Sequence, residues 1–267
     1  MAYRLIASDI DGTLASESGA VSPRNLRAIA RLRELGIPFI LATGRSPAAM
    51  GSFLPLVEPQ TPIIGFNGAV VARASGEVLF EQRLSVERSR RILELGWELA
   101  PAIIVWDGDR MFTNRRNADI DRYQEFSGIT VTLTDREALE RIPASKLIWF
   151  DSSGGIGKII DALRDVDTTG FEYFTSHAFF LEFVAEGVSK GRALGEVAAL
   201  LGVNREEVIA VGDGMNDLSM LEYAGLGVAM GNANEKLKAA ADLVTGTIQE
   251  DGLAQVIERF LLREPDQ

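Results

Sequence analysis

The sequence predicts an α/β protein, a parallel-sheet core interrupted by an inserted α+β domain. Before Gln82, short continuous apolar runs alternate with helical patterns. Near Gln82 the texture changes to closely spaced strand patterns, and after Ala185 the first texture resumes. Continuous apolar strands separated by helices belong to a parallel sheet covered on both faces. The expected core is therefore residues 1–82 and 185–267, with residues 83–184 as the insertion.

Taken in order, Leu5-Ile6-Ala7 leads into Asp9-Ile10-Asp11-Gly12-Thr13, a buried strand ending in polar residues and glycine. Ser22 is placed to N-cap a helix with Pro23 at its first position. Leu26, Ile29, Leu32 and Leu35 recur near helical spacing, and Gly36 closes the helix. Pro38–Ala42 is a second strand ending in Thr43-Gly44-Arg45, and Pro62–Phe66 a third ending in Asn67-Gly68. Within the insertion, Ile103–Trp106, Asp109–Asn114, Ile129–Leu133, Leu147–Phe150 and Phe179–Val184 read as strands. Helical patterns there cover Ala118–Ser127 and Gly157–Val166. The returning core has a helix from Lys190, with Leu194, Val197, Ala198 and Leu201 on one face and Gly202 as its stop. Val208–Val211 is a buried strand ending in Gly212–Asp217. Leu226–Met230 and Leu243-Val244 follow as two more strands, and Glu264–Gln267 is expected to fray.

Composition narrows the function. Of 267 residues, 46% are hydrophobic, and 27 basic against 38 acidic side chains leave a net charge of −11. Such acidity disfavours nucleic acid and anionic membrane surfaces as partners. There is no cysteine, which removes disulfides, thiolate nucleophiles and Cys-ligated metals. The one histidine, His177, excludes a His-Glu-x-x-His zinc site. No apolar run approaches a membrane span of about 18 residues, and the N-terminal stretch meets Asp9 before any signal-length run develops. A cytoplasmic protein is expected; the sequence leaves the oligomeric state open, with a monomer slightly favoured.

Ligands of an open parallel sheet bind outside the carboxyl ends of its strands. Asp9/Asp11, Thr43-Gly44-Arg45 and Gly212–Asp217 all sit at such ends, and Lys190 begins a helix just before a core strand. Asp9, Asp11, Asp213 and Asp217 would gather four carboxylates. Like charges about 4 Å apart repel by roughly 4 kcal/mol at an effective dielectric near 20, so the cluster needs a cation or protons. Oxygen ligands without histidine or cysteine favour a hard ion, Mg²⁺ above all. Lys190, Arg45, the Thr43 hydroxyl and N–H groups around Gly44 supply anion donors, and together these groups suit phosphoryl transfer.

Asp9-Ile10-Asp11-Gly12-Thr13, Ala42-Thr43-Gly44-Arg45, Gly187-Val188-Ser189-Lys190-Gly191 and Gly212-Asp213-Gly214-Met215-Asn216-Asp217 resemble, in order, the four motifs of the haloacid dehalogenase superfamily. Gly227–Ala233 and Glu250-Asp251-Gly252 resemble its Cof-like phosphatases, as does an insertion at the type C2B cap position. The resemblance spans essentially the whole chain and is weakest within the insertion. It implies a Rossmann-like core with an inserted cap, and a Mg²⁺-dependent phosphatase of small phosphorylated metabolites, sugar phosphates first. By the same resemblance Asp9 is the nucleophile and Asp11 the general acid and base. Mg²⁺ is held by the Asp9 carboxylate, the Asp11 carbonyl and Asp213. Thr43, Gly44 and Lys190 bind the phosphoryl group with Asn216 assisting, and Asp217 orients Lys190 or a metal-bound water. A phosphomutase and a non-catalytic phospholigand sensor are the alternatives.

Three features compete for attention. Ser152–Lys158 imitates a P-loop but lacks glycine at Ser152 and a hydroxyl at Ile159, so it reads as a turn. His177 reads as a surface or packing residue. Phe171, Tyr173, Phe174, Phe179, Phe180 and Phe183 read as cap core, whereas Glu182 among them is either a sheet-edge acid or a ligand for a substrate hydroxyl.

Overall fold

The computed structural model describes residues 3–16, 18–177 and 179–262. The His177 side chain and residues 264–267 lie outside that description. The chain divides into two compact units. One comprises Met1–Gly44, Met50–Leu79 and Ser189–Gln267; the other comprises Arg45–Ala49 and Phe80–Val188. No helix among the described residues is long and apolar enough to cross a membrane.

As far as Glu81 the chain forms β1 (Leu5–Ser8), α1 (Pro23–Glu34), β2 (Phe39–Leu41), β3 (Pro62–Gly65), β4 (Val70–Arg73) and β5 (Val78–Glu81). The Ser22 side chain caps α1 by accepting from the Asn25 N–H, and Pro23 occupies the first helical position. The buried stripe of α1 is Asn25, Ala28, Ile29 and Leu32. Leu26 and Leu35, expected in it, are exposed: Leu26 points off the stripe and Leu35 is the C-cap beyond the last turn. The Pro62–Phe66 run also departs from expectation. It pairs antiparallel with β4 in a separate sheet of order β3-β4-β5, and meets β2 through a bridge between Ala42 and Ile64. The reversal follows from Phe66, Asn67 and Gly68, whose φ values of 48°, 56° and 103° turn the chain back on itself.

The second unit contains α2 (Val86–Leu99), β6 (Ala102–Asp107), β7 (Arg110–Thr113), α3 (Ala118–Ser127), β8 (Val131–Leu133), α4 (Arg136–Leu139), β9 (Lys146–Phe150), α5 (Ile156–Leu163), β10 (Phe171–His177) and β11 (Phe180–Ala185). Its sheet has the order β10-β11-β9-β6-β7-β8 and is antiparallel except between β7 and β8. Helices α2 and α4 and strand β10 lack a sequence-level expectation. Helix α2 buries Ser89 and Gly96 beside Ile92 and Leu93, so half of its inward stripe carries no apolar signal. The P-loop look-alike is the turn between β9 and α5, where Asp151 accepts from the Ser153 N–H and hydroxyl. Phe171, Phe180 and Phe183 are buried, but Phe179 is 37% exposed and is not core.

The chain then completes the first unit with α6 (Lys190–Leu200), β12 (Val208–Gly212), α7 (Leu218–Tyr223), β13 (Leu226–Ala229), α8 (Glu235–Ala240), β14 (Leu243–Val244) and α9 (Gly252–Phe260). The main sheet, β14-β13-β12-β1-β2, is parallel throughout. Ala193, Leu194, Val197 and Ala198 of α6 join Leu5, Ala7, Val208 and Ala210 of the sheet in one core cluster. The chain leaves β1 toward β2 and returns on the other side at β12. The strand order therefore reverses beside β1, the place where such sheets open a ligand crevice.

Candidate active site

Strands β1 and β12 lie in register, Ser8 opposite Val211, so the residues just beyond them meet. The Asp9 N–H donates to the Val211 carbonyl at 3.0 Å. One oxygen from each of Asp9, Asp213 and Asp217 lies within 4.8 Å of the others. The Asp11 side chain is exposed and lies outside that trio. Lys190, at the first position of α6, is wholly buried. Its Nζ donates to Asp9 Oδ1 at 2.6 Å and to Asp217 Oδ1 at 2.5 Å. The other Asp217 oxygen accepts from the Asp213 and Gly214 N–H groups, each at 2.9 Å. Asp217 thus ties Lys190 to the loop that carries Asp213.

Gly12 makes the close approach possible. Its φ of 86° is left-handed, and a Cβ there would overlap the Asp213 carboxylate. The Thr13 hydroxyl, fully buried, donates to Asp213 Oδ1 at 3.1 Å. Thr43 is buried at the end of β2; its N–H donates to the Ile64 carbonyl, and its own carbonyl accepts from the Asn67 N–H at 3.0 Å. Gly44 lies against the Asn67 amide, whose Oδ1 accepts from Asn216 Nδ2 at 2.9 Å. Asn67 therefore joins the loop after β2 to the loop after β12.

The electrostatics reflect this crowding. Burial raises the Asp9 carboxyl well above the usual carboxylate range. Lys190 opposes that shift, while Asp217, Asp213 and Asp11 add to it. Burial and Asp217 push Asp213 up to about 6, against the Thr13 hydroxyl and Lys190. Burial alone would depress the Lys190 ammonium, but Asp217 and Asp9 outweigh it and raise it. One ammonium is too little cation for these carboxylates at neutral pH. An all-oxygen donor set crowded with negative charge fits a hard divalent ion such as Mg²⁺.

The sequence profile of the haloacid dehalogenase-like hydrolases matches residues 6–257. The chain belongs to that family. Among its members this hydrolase falls with the Cof-type phosphatases. A haloacid dehalogenase-like hydrolase from Bacteroides thetaiotaomicron superposes with a TM-score of 0.84 at 33% identity, over 96% of this chain and 99% of its own. The 5-amino-6-(5-phospho-D-ribitylamino)uracil phosphatase YitU of Bacillus subtilis is 30% identical over 263 residues, 96% of this chain and 97% of its own. The subclass IIB sugar phosphatase BT4131 superposes with a TM-score of 0.83 at 25% identity, over 96% of this chain and 98% of its own.

In this hydrolase the first unit brings Asp9, Asp11, Thr43, Gly44, Lys190, Asp213, Asn216 and Asp217 to one sheet end. Arg45 and Glu182 fall in the second unit. Arg45 donates to the Ala49 carbonyl, and Glu182, 4% exposed, accepts from the buried Lys146 at 3.2 Å. Sequence reasoning assigned no role to Asn67 or Asn232. Asn67 stood in view as the polar end of the Pro62–Phe66 run. Asn232 lay in the Gly227–Ala233 stretch, which carried resemblance but no chemistry.

Proposed function

We propose that this hydrolase is a Mg²⁺-dependent phosphatase of small phosphorylated metabolites, sugar phosphates first, working through an aspartyl phosphate on Asp9. One observation carries the reading: a fully buried lysine ammonium held between Asp9 and Asp217, beside Asp213, at the carboxyl end of a parallel sheet. A buried cation at a helix start, where the backbone dipole disfavours it, suits an anionic partner. The phosphorylated ribityl group in the name of YitU, and the sugar phosphatase BT4131, support the substrate class.

The attacking group is the Asp9 carboxylate, whose Oδ1 accepts from Lys190. As it bonds to phosphorus, the ester P–O bond breaks and Asp11 gives its proton to the departing alkoxide. Asp11 then takes a proton from water, whose oxygen attacks phosphorus and frees Asp9 and inorganic phosphate. Thr43, Gly44 and Asn216 orient the phosphoryl oxygens, Lys190 neutralises charge on them, and Arg45 adds a second positive charge. The Asp9 carboxylate, the Asp11 carbonyl and Asp213 would hold Mg²⁺, which when bound offsets the charge of substrate and carboxylates. The second unit is assigned as the cap that samples the leaving group, with Glu182 meeting a substrate hydroxyl.

The test is hydrolysis of para-nitrophenyl phosphate. EDTA is expected to abolish phosphate release and added Mg²⁺ to restore it; Asp9→Asn is expected to lose about a thousand-fold or more in kcat. Undiminished turnover in EDTA, or by Asp9→Asn, overturns the scheme. A screen of phosphorylated metabolites by kcat/KM then ranks substrates.

A further inference from the structure

Asn232 lies in the loop after β13 and touches three segments that are remote in sequence. Its Nδ2 donates to the Gly12 carbonyl at 2.9 Å and to Asp213 Oδ2 at 3.3 Å. Its Oδ1 accepts from the Ile248 N–H at 2.9 Å. The Ile248 N–H can only donate, so it fixes which end of the amide faces Asp213. The Asp213 carboxylate is then gripped on both oxygens, by Thr13 on Oδ1 and by Asn232 on Oδ2.

We propose that Asn232 is a positioning residue of the cation site, its amide fixing the Asp213 carboxylate against the Gly12 turn. The proposal rests on the assignment of Asp213 as a Mg²⁺ ligand. Mg²⁺ demands near-ideal octahedral geometry at about 2.1 Å, so a ligand carboxylate free to rotate binds it poorly. A neutral amide suits the task. It orients a carboxylate oxygen without adding negative charge to a cluster that already has too much, and the Ile248 contact stops the amide from turning. Removing a group that orients a metal ligand typically weakens metal binding by about 10–100-fold.

The experiment measures Mn²⁺ binding by EPR, with Mg²⁺ as competitor, on the full metal-free chain without substrate. Wild type, Asn232→Ala and Asp213→Asn are compared. The expected result is an Mg²⁺ Kd raised about 10–100-fold in Asn232→Ala and no measurable site in Asp213→Asn. The loss of turnover by Asn232→Ala at low Mg²⁺ is expected to recover as Mg²⁺ is raised, which a general packing defect would not do. A Kd within about two-fold of wild type for Asn232→Ala, with the site lost in Asp213→Asn, overturns the positioning role alone. Wild-type affinity in Asp213→Asn overturns both the role and the ligand assignment. Should Asn232→Ala lose its cooperative melt, Asn232→Ser carries the same test, since one hydroxyl cannot span both acceptors.

Discussion

Lys190 and Asp213 illustrate how single residues here are set by their neighbours' charge. Lys190 is the cation between two buried carboxylates, and removing one partner of such a group leaves the others uncompensated, at a cost of about 3–5 kcal/mol. Lys190→Met is therefore expected to lower the metal-free melting temperature by about 10 °C in calorimetry. Adding Asp217→Asn should recover part of that loss; no recovery would mean the pair is not coupled. Asp213 sets a pH dependence whose sign follows from its raised value, about 6 against an ordinary 3.8. The folded chain binds the Asp213 proton more tightly than the unfolded chain does. Its stabilising contribution is full below pH 3.8 and is lost as pH rises through 6. In EDTA the melting-temperature advantage of wild type over Asp213→Asn should thus shrink between pH 4 and 7. A flat or rising difference would contradict the assignment.

At the scale of elements, the turn after β1 shows why a short motif carries so much information. Asp9-Ile10-Asp11-Gly12-Thr13 holds a strand end, a left-handed glycine and a buried hydroxyl, and the last two are shaped by Asp213 rather than by one another. Gly12→Ala is expected to displace the Asp213 carboxylate and destabilise the chain by about 1–3 kcal/mol, through strain at a positive φ. Calorimetry and Mn²⁺ titration would both register it, whereas unchanged metal affinity would refute the contact. Capping signals were equally legible: Ser22 and Pro23 start α1 where the residues say they should. Elements whose inward face is small or polar stayed silent, as with Ser89 and Gly96 in α2. Strand β3 was legible as a strand, but its partner was not, because the reversal at Phe66–Gly68 selects an antiparallel neighbour.

Across the whole molecule, the proposed function gives chemistry to the first unit and selection to the second. Glu182 is the residue through which this division can be tested, because para-nitrophenyl phosphate offers no hydroxyl. Glu182→Gln is expected to lower kcat/KM for phosphorylated sugars about ten-fold or more, and to leave para-nitrophenyl phosphate within about two-fold. Equal losses on both substrates would reduce Glu182 to the partner of Lys146. The residue types at the strand ends, the absence of cysteine and the order of the four motifs are local properties, and they determined the fold class, the family resemblance and the candidate carboxylates. Only the tertiary structure decided that Lys190 sits between Asp9 and Asp217, and that Asn67 and Asn232 tie the loops together. The physical reason is distance along the chain. Partners 181 and 220 residues apart meet through strand order, which local periodicity does not encode.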